Sequence, residues 1–195
     1  MKKVFLLAAL ISTCFVSAQG FGIKGGLNLT NLTNFEKTFE QEVESENIRT
    51  SFHIGIFNEF EVTEHFSIQP EVLYSSQGTK YSGDGAEDKV RLDYINVPIM
   101  FKFYLGDNFF LESGPQVGFL INDESNFGFF TISDEDAFNS VDFGLNLGLG
   151  FKLGDNAHLN ARYGFGFNGV FSDLPDNSDN NPKNSVFGVS IAFNM

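Results

Sequence analysis

Hydrophobic and polar residues alternate along most of this chain. Across residues 142–153, DFGLNLGLGFKL, one set of positions holds Phe143, Leu145, Leu147, Leu149, Phe151 and Leu153. The other set holds Asp142, Gly144, Asn146, Gly148, Gly150 and Lys152. Side chains of a strand point to opposite faces in turn, so this stretch predicts a strand with one oily face and one small, polar face. The same period recurs seven more times. Phe21, Ile23, Leu27 and Leu29 alternate with Gly22, Lys24, Gly26, Asn28 and Thr30. Further strands are predicted over residues 50–62, 66–77, 90–105, 109–122, 157–169 and 185–194.

The connections between these strands alternate in length. Residues 33–49, 78–89, 123–140 and 170–184 form four long polar loops; residues 63–65, 106–108 and 154–156 form three short turns. In an antiparallel meander this puts every long loop at one end and every short turn at the other. The oily faces continue for five or six positions, close to the roughly 9–11 residues with which a tilted strand crosses a bilayer. The opposite faces carry Gly, Asn, Gln, Lys, Glu and Arg, suited to a narrow hydrated interior. In hydrocarbon every backbone group must be paired, so the sheet has to close. The predicted fold is all-β: a closed antiparallel eight-stranded transmembrane β-barrel, an up-and-down meander.

The short turns set a register. Taking 106–108 as a three-residue loop pairs Leu105 with Phe109 and puts Lys102 opposite Glu112. The second copy, 154–156, pairs Lys152 with His158 and Gly148 with Arg162. Residues 63–65 place Val62 opposite Phe66. Asn at the third loop position suits the left-handed conformation such loops require. Pro70, Pro98 and Pro115 fall inside three neighbouring strands, where each removes a ladder hydrogen bond, so a belt of bulges or a kink is expected there.

The N-terminus belongs to a different kind of segment. Lys2 and Lys3, the apolar run 4–11 and the small residues Ser17 and Ala18 describe a secretory signal cleaved before Gln19. Residues 1–18 are then a signal peptide and residues 19–195 the barrel domain. Thr13 before Cys14 is a poor match to lipoprotein processing. With Cys14 removed the chain has no thiol or disulfide chemistry. The formal charge of −13 argues against a nucleic-acid partner.

The segments FSIQPEVLYSSQG, LDYINVPIMFKFYL, ESGPQVGFLI and VDFGLNLGLGF, with SAQGFGIKGGLNL at the start, resemble the porin-family or PorT-like outer-membrane barrels of the Bacteroidota. The resemblance spans essentially the whole mature chain. It implies a bacterial outer-membrane location and no agreed chemistry, since such proteins range from secretion-associated components to ones of unknown role. Both termini would then be periplasmic. Lipid and lipopolysaccharide would surround a monomeric barrel, and an envelope protein could be engaged through loops 33–49 and 123–140.

Several motifs carry little. Gly164 to Gly169 spells a dinucleotide fingerprint without the helix that should follow it. Asn28 and Asn31 head glycosylation sequons that arise readily by chance. His53, His65 and His158 do not cluster, so no zinc site is expected. Ser51 and His53, near the outer rim with loop acids nearby, would suit a lipid-modifying triad, but a Ser-rich strand explains them better. No enzyme and no cofactor are expected.

The inward charges carry more. Lys24, Glu59, Glu61, Glu71, Lys102, Glu112, Asp142, Lys152 and Arg162 all point inward on this register. An eight-stranded barrel is barely wide enough for its side chains, so these charges should pair. Lys24, Glu59, Glu71, Lys102, Glu112 and Arg162 form the expected lumen network, as a salt-bridge plug in preference to a narrow polar pore. Sixteen of the 25 acids sit in the long loops, as a solvated surface or as oxygen ligands for divalent cations. Phe127, Phe129, Phe130 and Ile132 are an apolar knot in the third loop, either extending a hairpin or docking a partner.

Overall fold

The computed structural model describes residues 20–33, 45–83, 86–126, 138–172 and 181–195. The expected signal peptide and the knot 127–132 lie outside the described residues. Ten strands follow one another: β1 (Phe21–Thr33), β2 (Ser45–Asn47), β3 (Arg49–Asn58), β4 (Phe60–Thr63), β5 (Phe66–Gly83), β6 (Ala86–Leu105), β7 (Phe109–Asn126), β8 (Val141–Lys152), β9 (Ala157–Gly166) and β10 (Lys183–Asn194). β3 and β4 are two parts of one barrel strand, and β2 is a short addition to the outer end of β5. The eight resulting strands pair in antiparallel neighbours, and β1 closes the ring on β10 from Gly22↔Asn194 to Thr33↔Lys183. The fold is a closed eight-stranded antiparallel β-barrel.

The faces divide as the alternation requires. Leu27, Ile54, Phe143, Leu149, Phe151 and Leu159 are about half exposed on the outer wall, while Lys24, Asn28, Glu71, Lys102 and Glu112 are buried inside. A soluble protein would bury the first group; here the apolar belt runs around the whole barrel, as hydrocarbon demands.

Two of the three turn registers are as expected. Leu105 pairs with Phe109 and Lys102 with Glu112; Lys152 pairs with His158 and Gly148 with Arg162. Positive φ falls on the first residue of each of these turns, Gly106 at 77° and Gly154 at 142°. Glycine takes that conformation without the steric cost a side chain would add. The third turn differs. Phe60↔Ile68 and Glu61↔Ser67 keep the expected register, but a shift follows and Thr63, not Val62, pairs with Phe66. At the same rim Glu61, expected inside, is exposed to solvent, beyond the last enclosed layer of the lumen.

The proline belt interrupts the sheet without inserting residues. Pairing lapses beside Pro70 between Phe57↔Glu71 and Phe60↔Ile68. It lapses beside Pro98 between Pro70↔Ile99 and Leu73↔Asn96, and beside Pro115 between Pro98↔Gln116 and Phe101↔Ser113. Each ladder resumes in unchanged register, so the missing N–H costs ladder bonds and produces no bulge. The β7–β8 ladder runs unbroken through Pro115↔Leu145. The two register shifts lie elsewhere, at Glu61/Thr63 and at Asp93/Tyr94.

The outer ends of the strands reach further than the alternation suggested. Residues 78–89, expected as a loop, are mostly hairpin: β5 and β6 stay paired up to Gly83↔Ala86. β7 continues to Asn126, opposite Lys89. These polar extensions lack an oily outer face because they stand above the hydrocarbon.

Candidate functional site

The lumen is built in layers, from the short-turn end outward. In the lowest layer Lys102 Nζ lies 2.9 Å from Glu59 Oε2 and donates to Gln69 Oε1 at 2.8 Å. Glu59 also accepts from Ser67 and from the hydroxyl of Tyr104. The Lys102 ammonium sits 4.5 Å from the centroid of the buried Phe110 ring, a cation–π contact on its remaining side. Lys152, expected to point inward but outside the six-residue network, caps the Tyr104 ring at 4.1 Å near the rim.

Arg162 dominates the middle layer. Its Nη1 and Nη2 donate to Glu71 Oε2 and Oε1 at 3.0 and 2.8 Å. Its Nε and Nη2 donate to Glu112 Oε1 and Oε2 at 3.0 and 3.1 Å. One guanidinium thus grips two carboxylates, each with both oxygens, a match that a lysine's point charge cannot reproduce. Gln69 donates to Glu71 at 2.6 Å, Lys24 approaches it at 3.4 Å, and Asn160 donates to Glu112 at 2.9 Å. Glu71 and Glu112 come from β5 and β7, Lys24 from β1 and Arg162 from β9, so the bonds cross the barrel. Gly148 lies opposite Arg162, and a Cβ there would stand 2.9 Å from Glu112 Oε1. The glycine leaves room for the guanidinium's partner.

All six expected network residues therefore face the lumen, in two groups. Lys24, Glu71, Glu112 and Arg162 form one, Glu59 and Lys102 the other. Lys102 and Glu112 are backbone partners whose side chains part, each reaching a stronger partner across the lumen. Backbone register specifies which residues share a face, not which way a long side chain leans along the strand.

Above this lies a layer of neutral polar side chains with one acid, Asp142. His53 Nδ1 donates to Asn28 Oδ1 at 2.7 Å, and Asn28 donates to Ser75 Oγ. Ser51 donates to the Ser76 carbonyl at 2.6 Å, so Ser51 and His53 are each committed to separate structural bonds. Asn184 Nδ2 donates to Asp142 Oδ2 at 2.8 Å and reaches the hydroxyl of Tyr94 at 3.3 Å. A cavity of about 60 Å³ occupies this layer. Over it close Leu32, Val90, Leu92, Tyr94, Phe138, Val170 and Phe171, a buried apolar cluster in which the Phe138 and Phe171 rings stack at 5.4 Å. The sequence offered a signal for this cap: Val90, Leu92 and Leu32 continue the inner phase of their strands but are apolar. Phe138 and Phe171 gave none, because loop residues follow no period.

At the outer rim, past the last lipid-facing residue of β6, Arg91 Nη2 lies 2.8 Å from Asp93 Oδ2. Burial pushes the Asp93 carboxyl up, but hydrogen bonds from Ser76 and Arg91 outweigh it and the group ends below the ordinary aspartate range. Among the described residues no three His, Cys, Asp or Glu side chains converge as a metal site.

Neisserial surface protein A has a similar fold, with a TM-score of 0.59 at 13% identity, over 92% of this chain and 99% of that one. Ail, the attachment invasion locus protein of Yersinia pestis, is similar at 12% identity and a TM-score of 0.44, over 91% and 99%. OprG of Pseudomonas aeruginosa follows at 12% and 0.46, over 91% and 97%. No curated protein sequence matches the chain. A sequence profile of the outer membrane protein beta-barrel domain matches residues 17–172. The chain belongs to that family.

Proposed function

We propose that this outer-membrane β-barrel protein is a closed barrel, exported with loss of residues 1–18, whose role is structural or exercised through its acidic outer loops. The carrying observation is the middle layer, where Arg162 joins Glu71 of one wall to Glu112 of another. A permeating ion would have to part charges that are paired and almost wholly removed from water, at a cost of several kcal/mol per ion left unpaired. The apolar cap adds a second, chemically different obstruction at the outer mouth.

The ends of the chain support one orientation. Met195 N donates to the Phe21 carbonyl, Asn194 N to Asn156, and Glu59 N to Gly20. These bonds gather both ends of the barrel domain at the short-turn end, which supports periplasmic termini. The long loops then face outward, toward lipopolysaccharide and any envelope partner of loops 33–49 and 123–140. An accessory role in secretion or surface assembly, as the PorT-like resemblance implies, would use these same loops.

Recordings from planar lipid bilayers test the closed lumen. The refolded chain should give no stable conductance steps. Reproducible steps would establish the narrow-channel alternative and overturn this reading.

A further inference from the structure

The cavity beneath the apolar cap contains the one lumenal carboxylate, among the described residues, that no cation balances. Glu59 has Lys102; Lys24 and Arg162 also line the cavity, but both are spent on Glu71 and Glu112. Asp142 has only the amide of Asn184, and its Oδ1 is buried without a hydrogen-bond partner in the protein. Asn184, 95% buried, is in the same condition: its Oδ1 is also unpartnered, and both residues line the cavity. The Asn184 amide cannot be reversed to relieve this. Its nitrogen must face the carboxylate, which only accepts, and that turns the amide oxygen away from Asp142 Oδ2.

We propose that this chamber binds a single monovalent cation of potassium or ammonium size, held by Asp142 Oδ1 and Asn184 Oδ1. One negative charge with neutral amide oxygens matches a weakly hydrated, singly charged ion, as carbonyl oxygens do in potassium-selective sites. A calcium site would need six to eight oxygens and usually several carboxylates. The space suffices for an ion with a few waters, since one water needs roughly 10–15 Å³ of such volume. Gly164 and Gly188 leave the wall beside β9 and β10 bare; a Cβ on Gly188 would stand 3.2 Å from Asn28 Oδ1 and 3.5 Å from the His53 ring. The site is independent of the closed-barrel reading, because an ion can be held whether or not the lumen conducts.

The probe is thallium(I), soaked into crystals of the refolded chain, with thermal unfolding in potassium chloride against choline chloride at equal ionic strength. One anomalous peak is expected between Asp142 and Asn184, and potassium should raise the unfolding temperature where choline does not. Asp142→Asn should abolish the peak and weaken the potassium response at least tenfold, with folding checked by heat-modifiable migration. Gly188→Ala, which keeps the carboxylate and narrows the chamber, should weaken the response severalfold and serves if the first variant does not fold. Water alone between the two oxygens, or a potassium response unchanged in both variants, would overturn the proposal.

Discussion

The middle of the lumen and the chamber above it are lined by similar side chains and are satisfied to very different degrees. Around Arg162, the guanidinium and the two carboxylates it grips use most of their hydrogen-bonding capacity on one another, within a space that glycines such as Gly148 leave open. Around Asp142, one carboxylate and one amide keep buried acceptors without a protein partner. The difference shows what a narrow barrel can do with charge. Where opposite signs come from several strands they lock the walls together; where only one sign is supplied, the wall retains an appetite for something else.

The largest effect should come from breaking the satisfied layer. Arg162→Met leaves Glu71 and Glu112 fully buried with, at most, Lys24 to share. It should destabilise the barrel by about 3–5 kcal/mol, the usual cost of orphaning buried charge. Urea unfolding in micelles, followed by circular dichroism because the chain has no tryptophan, measures it. Adding Glu71→Gln and Glu112→Gln should recover most of the loss, because a buried ion pair is worth far less than the penalty for halving it. If the triple variant stays as weak as the single one, the layer contributes through packing and not through charge.

How much of this contrast was legible beforehand depends on what each layer asks of the sequence. The strands, the closure and the lipid-facing wall follow from a period of two that membrane burial enforces strictly. The six network residues could be named because charge on the inner phase of a narrow barrel has few alternatives. Their partners could not: Lys102 abandons its backbone neighbour Glu112 for Glu59 because long side chains lean across layers. Glu61 keeps its expected partner Ser67 but stands beyond the last enclosed layer of the lumen, a limit that alternation does not record. Of the bulges or kink expected at Pro70, Pro98 and Pro115, no bulge forms and the interruptions are simple gaps, since the flanking ladders are long enough to hold register across two missing pairs.

A smaller effect should come from the cap that roofs the chamber. Leu92 is fully buried within it, and Leu92→Ala should cost about 2–3 kcal/mol, toward the low end for large-to-small core changes. The loss should be local. Amide exchange should quicken at the outer ends of β6 and β7 while the layer around Arg162 keeps its protection. Uniform quickening down all strands would mean that the two regions open as one unit.

The smallest effect lies at the rim, where Arg91 and Asp93 pair outside the membrane with the arginine side chain about one-third exposed. Arg91→Gln should cost under about 1 kcal/mol, as partly solvated pairs usually do. Its pH dependence is the sharper measurement. The folded Asp93 carboxyl is held below the ordinary value of 3.8, so the folded state favours its ionised form. That contribution is complete well above pH 3.8, where aspartate is ionised folded or unfolded, and it fades as pH falls through 3.8 toward the depressed folded value. The stability difference between the parent chain and the Arg91→Gln variant should therefore be constant from neutral pH down to about pH 5 and shrink below it. A difference that stays constant through that range would show that Asp93 depends on Ser76 and not on Arg91, and that the rim pair is incidental to the barrel's outer edge.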